Sequence, residues 1–219
     1  VKRVVVLISG GGRNLQALLD AGADGRLDAQ IVAVISNRDG VQGLERARRA
    51  GVAALALPHV DFPSREAFDA ALAEAIEAQR PDIVVMAGFM RVVGAAFVRR
   101  FQGRMLNIHP SLLPRHPGLK THQKVLEAGE REHGATVHFV TEELDGGPLI
   151  IQGQFSVMPQ DSAESLAERV MQDIELKIYP QAVAWLARGD VELVDGGVRF
   201  GGRPLSAPLG MDHLEAQFR

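Results

Sequence analysis

The stretch Val4-Val5-Val6-Leu7-Ile8-Ser9-Gly10-Gly11-Gly12-Arg13-Asn14 decides how the rest of the chain is read. Its five apolar residues have strand length and no polar alternation, which suits a strand covered on both faces, as in a parallel sheet. The run stops at Ser-Gly-Gly-Gly, and Asn14 to Ala21 has helical spacing. Outward from this βα unit the pattern repeats. Ile31 to Ile35, Ala53 to Leu57, Ile83 to Met86 and Met105 to Ile108 are further strands of the same covered kind. Helical stretches lie between them at Gly43 to Ala50, Ser64 to Gln79 and Gly94 to Phe101, with Ser64 as an N-cap and Pro81 as a stop. Such a rhythm predicts an open, doubly wound sheet whose ligands gather at the carboxyl ends of its strands.

The second half departs from it. Thr136 to Val140 and Leu149 to Val157 flank Asp145-Gly146-Gly147-Pro148, too close for a helical crossover, so this pair is expected to be antiparallel. One long helix is predicted from about Ser162 to Ala187, then a hairpin from Val191 to Phe200 turning at Asp195-Gly196-Gly197. The tail after Gly201 has turn residues and little periodicity. With no repeat, linker or boundary, residues 1–219 read as one α/β domain, a Rossmann-like three-layer fold whose mostly parallel twisted sheet ends in antiparallel strands.

Composition narrows the function. At 219 residues and 46% hydrophobic, the chain can bury a core without staples. A net charge of −3 argues against a nucleic-acid partner, and aromatics at 5% against a base-stacking platform. The absence of cysteine removes thiol nucleophiles, disulfides and Cys-based zinc sites, and fits the cytoplasm. No run is long enough to span a membrane, and Lys2-Arg3 leads into a strand without a cleavage site.

Three loops at strand ends carry chemistry. In the first, Gly10 to Asn14, glycines allow close backbone approach and a helix start offers free N–H groups to an anion. The spacing is not a dinucleotide fingerprint: Leu15 stands at the third glycine, and the second strand ends in Ser36-Asn37 without an acid. A single phosphate fits better; a turn serving only chain reversal is the alternative. In the second, Asn107-Ile108-His109-Pro110-Ser111-Leu112-Leu113-Pro114, the amide and the imidazole are two apart and share a face, an arrangement suited to a developing oxyanion. A hydrogen-bonded structural histidine is the alternative reading. In the third, Thr141-Glu142-Glu143-Leu144-Asp145-Gly146-Gly147, Asp145 is either a turn residue or the carboxylate of an acyl-transfer site. Its proximity to the other two would decide. His122, His133 and His138 lack zinc-ligand spacing, so no metal is expected. Arg65 and Arg91 read as surface charges, and Gln172 and Glu175 as one helix face.

Together, Val-Leu-Ile-Ser-Gly at 6–10, Met-Ala-Gly-Phe-Met-Arg at 86–91, Leu-Asn-Ile-His-Pro-Ser-Leu-Leu-Pro at 106–114 and Val-His-Phe-Val-Thr-Glu-Glu-Leu-Asp-Gly-Gly-Pro at 137–148 closely resemble the phosphoribosylglycinamide formyltransferase family, from about Arg3 to Arg188. The resemblance implies the formyltransferase fold. It also implies direct transfer of a formyl group from 10-formyltetrahydrofolate, a co-substrate, to the amine of glycinamide ribonucleotide in purine biosynthesis. By the same resemblance Asn107, His109 and Asp145 are the catalytic set. Gly11, Gly12, Arg13, Asn14 and Gln172 fall at the substrate phosphate, and Glu175 at the ribose. Met90, Arg91, Val92, Val93, Asn107, Thr141, Glu142, Glu143, Leu144 and Asp145 match the folate pocket, Arg65 the region of the folate tail, and Thr136 and His138 supporting positions. Residues 1–100 would thus hold the phosphate and ribonucleotide, 101–188 the catalytic and folate half, and 189–219 a hairpin and tail.

One position departs from the family. Its phosphate loop usually reads Gly-Ser-Asn, and here it is Gly12-Arg13-Asn14. A guanidinium replaces a hydroxyl, and can bind phosphate bidentately or point to solvent. Among rivals, methionyl-tRNA formyltransferase is expected to carry a further C-terminal domain, and formyltetrahydrofolate deformylase a further N-terminal one. A non-catalytic nucleotide-binding Rossmann module would have no reason to gather Asn107, His109 and Asp145. Small-molecule partners are expected, with no nucleic acid and no membrane, in a monomer or homodimer.

Overall fold

Lys2–Ile8 forms strand β1, and from Val4 onward every residue is buried, as its unbroken apolar run demands. The computed structural model of the chain describes residues 1–219. The first helix, α1 (Arg13–Ala23), leads to β2 (Ala29–Ser36), α2 (Gln42–Arg49), β3 (Ala53–Ala56), α3 (Arg65–Ala78), β4 (Ile83–Met86), α4 (Ala95–Arg100) and β5 (Met105–His109). After α5 (Thr121–Glu127) come β6 (Glu132–Phe139) and β7 (Leu149–Ser156). These strands make one seven-stranded sheet in the order β3-β2-β1-β4-β5-β6-β7. The pairs from β3 to β5 are parallel, and β5–β6 and β6–β7 are antiparallel. A small second sheet holds β8 (Val191–Val194), β9 (Gly197–Phe200) and the short β10 (Arg203–Pro204).

Strand alternation splits the core between two faces. Val4, Val6 and Ile8 pack with Leu15, Leu18, Tyr179 and Trp185, while Val5 and Leu7 pack with Phe68, Leu72, Phe97 and Phe101. Ser64 caps α3 as expected, its Oγ accepting from the Ala67 N–H at 3.1 Å. No helix is long and apolar enough to cross a membrane.

Three sequence expectations need correction. The strand β3 is not covered on both faces: it is the sheet's edge, and Ala53, Leu55 and Ala56 are exposed. β6 starts four residues before Thr136, because Gly134 lies so close to Gly153 on β7 that a Cβ would come 1.8 Å from the Gly153 carbonyl oxygen. Glycine, normally a strand breaker, is required by that approach. The long helix is three segments: α6 (Ala163–Arg169), a wider π-helical turn over Val170–Glu175, and α7 (Leu176–Arg188). Within α7, Pro180 has no N–H for the Leu176 carbonyl, so the regular ladder is broken there as well. The tail after Gly201 has little regular structure, as its turn residues suggest, and is nevertheless tied down. Leu209 bridges the outer edge of β7 at Ile151, and Leu209, Leu214 and Phe218 are buried.

Candidate active site

Parallel pairing puts the carboxyl ends of β1, β4 and β5 side by side, and the chain reverses its course across the sheet between β1 and β4. Ligands of open α/β sheets bind at such a switch point. The loop after β1 enters α1 through Gly12 in the left-handed region (φ 79°), with no side chain capping the helix. The amides of Gly11, Gly12, Arg13 and Asn14 therefore have no protein acceptor. Facing them, the π-helical turn presents Gln172 and Glu175. The Arg13 guanidinium donates to both carboxylate oxygens of Glu168, at 2.9 and 3.2 Å, and to Gln172 Oε1 at 2.7 Å. Glu175 is only 5% exposed, and burial pushes its carboxyl up to about 7 against the pull of the Asn14 amide and the Arg13 charge. Buried beside it, the Asn14 Oδ1 lacks a hydrogen-bond partner.

Ser9 connects this loop to the next strand end. Its Oγ donates to Asn37 Oδ1 at 2.5 Å and accepts from the Met90 N–H at 2.8 Å. Beyond Met90 opens a cleft of about 480 Å³, lined by all of 90–93 and all of 141–145 with Asn107, His109 and His138. The N–H groups of Arg91, Val92 and Val93 meet no protein acceptor. Met90, Val92, Leu119 and Leu144, also lining the cleft, are exposed. A wall of apolar side chains and unpaired amides suits a flat, heteroatom-edged ring.

At the inner end of the cleft three elements converge. Asn107 and His109 share one face of β5, opposite His138 and Thr136 of β6. The turn after β6 brings Asp145, in the left-handed region (φ 52°), to 3.6 Å between its Oδ1 and His109 Nδ1, both side chains 7% exposed. Its Oδ2 accepts from the Gly118 N–H at 2.9 Å. On the far side of the ring, His109 Nε2 donates to the His116 carbonyl at 2.9 Å, which leaves Nδ1 facing the Asp145 carboxylate. Burial lowers the pKa of His138, and its Nδ1 donates to its neighbour's Phe139 carbonyl at 2.9 Å. The neutral Nε2 then faces Asn107 Nδ2 at 3.4 Å as an acceptor, fixing which way the amide points. Thr136 holds the loop beneath: its Oγ1 donates to Ser111 O at 2.8 Å and accepts from Leu113 N at 3.2 Å.

A family model described as Formyl transferase matches residues 2–183. Phosphoribosylglycinamide formyltransferase of Escherichia coli K12 is 48% identical over 202 residues, 92% of this chain and 95% of that protein. This chain belongs to the formyl transferase family. The human trifunctional purine biosynthetic protein adenosine-3 is 45% identical over 195 residues, 89% of this chain but 19% of the larger protein. Among solved structures, the phosphoribosylglycinamide formyltransferase of Coxiella burnetii superposes with a TM-score of 0.91 at 46% identity, covering 95% of this chain and 98% of that one. Glycinamide ribonucleotide transformylase 1 of Symbiobacterium toebii gives 0.88 at 46% identity, covering 91% and 94%.

Within this family member, most residues singled out in the sequence sit in two adjoining places: Gly11 to Asn14 with Gln172 and Glu175, and the cleft with Asn107, His109 and Asp145. Arg65 is not among them; it is exposed at the start of α3 and does not line the cleft. Arg91 is no free surface charge, since its guanidinium stacks on Phe68 at 4.9 Å. Four contributors lay outside sequence reasoning. Gly118 and the His116 carbonyl act through their backbones, which side-chain chemistry does not reveal. Gln152 Nε2 donates to Leu113 O at 2.7 Å and Thr136 Oγ1 at 3.0 Å, and Glu168 holds Arg13. Gln152 is a polar residue inside an apolar strand, the one available hint. His122 and His133 do meet, Nδ1 to Nε2 at 2.8 Å, though only as a pair.

Proposed function

We propose that this chain transfers the formyl group of 10-formyltetrahydrofolate directly to the amine of 5-phosphoribosylglycinamide, giving N-formylglycinamide ribonucleotide and tetrahydrofolate in de novo purine biosynthesis. The observation that carries this reading is the meeting of Asn107, His109 and Asp145 at the inner end of a cleft that adjoins an unpaired anion-binding loop. In the proposed reaction the substrate amine adds to the formyl carbon and the carbonyl oxygen becomes an oxyanion. Asn107, oriented by His138, donates one amide hydrogen to it. Protonated at Nδ1, His109 supplies the second donor and the compensating charge, and Asp145 stabilises that imidazolium. Collapse breaks the bond between the formyl carbon and the folate nitrogen. The amine gives up one proton and the departing nitrogen takes one, so Asp145 relays a proton with none gained or lost overall.

Binding divides along the two places already described. The amides of Gly11 to Asn14 and the Arg13 guanidinium take the phosphate, with Gln172 beside them; Glu175 takes the ribose hydroxyls. The free amides of 91–93 and the loop 141–145 hold the folate ring. In this reading residues 1–100 mainly hold the ribonucleotide phosphate and 101–188 the catalytic groups, within one domain of residues 1–219. The small-molecule partners are these two substrates, the compartment is the cytoplasm and the assembly a monomer or homodimer. Incubating purified protein with both substrates should yield tetrahydrofolate and formylated ribonucleotide in equal amounts. Folded protein that releases no folate product defeats the proposal. Formate released without ribonucleotide would instead show a hydrolase.

A further inference from the structure

The carbonyls of the phosphate loop are held from behind by α2 and by the first turn of α1. Gly43, in the first turn of α2, donates its N–H to Gly10 O at 3.0 Å. Arg46, one turn later, donates Nε–H to Gly11 O at 2.7 Å and Nη1–H to Gln16 Oε1 at 3.2 Å. The next carbonyl, Gly12 O, takes the Gln16 N–H at 2.8 Å. Three successive carbonyls thus have donors on the protein side, while the amides of Gly11 to Asn14 have no acceptor there. A peptide unit whose oxygen is pinned one way must present its N–H the other way. The contact is tight: a Cβ on Gly43 would lie 2.3 Å from Ile8 Cδ1 and 2.9 Å from Gly10 O. Charge points in the same direction. Arg48 and Arg49 pair with Glu45, at 3.6 and 3.4 Å, but Arg46 forms no ion pair and its half-buried charge is left to the loop.

We propose that Arg46 is a positioning residue for phosphate binding, clamping the Gly11 carbonyl so that the loop's amides stay turned toward the anion. This rests on reading the loop as the ribonucleotide phosphate site. The planar guanidinium suits the task because Nε–H and Nη1–H reach two fixed acceptors from one rigid group, which an ammonium on a flexible stem does not reproduce.

The test compares wild type, Arg46→Met and Arg46→Lys. In Arg46→Met the KM for glycinamide ribonucleotide should rise about tenfold, the effect of a lost hydrogen bond from a charged donor. The kcat and the KM for 10-formyltetrahydrofolate should stay within about twofold. Arg46→Lys keeps the charge and should fall between. Inorganic phosphate, titrated into the free protein and followed by ³¹P NMR, should bind Arg46→Met more weakly by a similar factor. Unchanged phosphate affinity and ribonucleotide KM in a variant that merely melts earlier would reduce Arg46 to a structural residue and overturn the proposal. So would an equal rise in both KM values. The phosphate titration needs no turnover, so it judges the clamp even if wild type proves to have no formyl transfer, the outcome that defeats only the reaction. Should Arg46→Met fail to fold, Arg46→Lys carries the same comparison.

Discussion

Asp145 occupies a backbone conformation that few non-glycine residues adopt, and its two carboxylate oxygens are divided between His109 and the Gly118 amide. Aspartate tolerates that conformation, as Asp28 and Asp195 also show at φ 55° and 52°, and here the turn aims the carboxylate. Asp145→Asn keeps the size and the Gly118 contact but removes charge and proton relay. We expect kcat to fall at least about 100-fold, with ribonucleotide KM within about threefold; a loss confined to KM would assign Asp145 to substrate capture. Arg13 gives the opposite split. Its guanidinium sits on Glu168 and Gln172 beside the open amides, so Arg13→Ser should raise ribonucleotide KM by about 3- to 10-fold and spare kcat. If kcat alone fell, the loop would not be the phosphate site. Residue identity made Asn107, His109 and Asp145 visible in the sequence, because an amide, an imidazole and a carboxylate at strand ends have few other reasons to be there. What stayed hidden were groups without a chemical signature, such as the Gly118 amide, the His116 carbonyl and the donor side of Arg46.

Among the elements, the π-helical turn at Val170–Glu175 is the least regular, and it faces the glycine loop after β1, where Arg13 donates to Gln172. Apolar periodicity predicts one continuous helix there, since a turn of i→i+5 bonds adds a single residue and barely disturbs the pattern; such turns recur at functional sites. Its consequence is a buried carboxyl. Glu175 has an ordinary value of 4.5 and a folded value of about 7, raised chiefly by burial. Between those values the unfolded chain has released a proton that the folded one keeps, so stability falls as pH rises from 4.5 to 7 and stays lowered above. The cost amounts to about 3 kcal/mol at pH 8. Glu175→Gln removes it. The variant should therefore unfold at higher urea than wild type at pH 8 and at nearly the same urea at pH 4.5. Parallel stability profiles for the two proteins would show that Glu175 is not the buried acid the fold makes it. Strands were more legible than this helix because a fully covered strand announces itself by unbroken apolar residues, as β1 and β4 do. The edge strand β3, Ala-Ala-Leu-Ala and equally unbroken, shows that such a run does not reveal which strand lies last in the sheet.

For the molecule as a whole, the segment after Gly201 closes what the sheet leaves open. β7 is an edge, and unpaired edges invite pairing with other chains. Leu209 covers part of it, donating its N–H to Ile150 O at 2.9 Å and accepting from the Gln152 N–H at 2.9 Å. From there the chain runs back to α7, where Gln181 Oε1 accepts from the Glu215 N–H at 2.7 Å and Arg188 joins Asp28, Asp190 and Glu215. Phe218 ends the course, 4% exposed beneath the Arg26 guanidinium. No periodicity foretells this, because a strap held by single anchors spaced along irregular chain has no repeat to detect. The anchors should nevertheless carry stability in proportion to what they bury. Phe218→Ala removes a buried ring near a chain end that can partly fray, so the loss should be about 2–3 kcal/mol, at the low end for a core aromatic. Because the Leu209 pairing to β7 survives in that variant, Gln152 keeps its hold on Leu113 and Thr136 under the loop that follows His109. The variant should therefore melt several degrees lower yet turn over at the wild-type kcat well below its melting point. Removing residues 203–219 takes away the edge cover as well, and should add concentration-dependent association to the loss of stability, measurable by light scattering. A truncated protein that melts with wild type and stays monodisperse would show that the tail lies on the fold without supporting it.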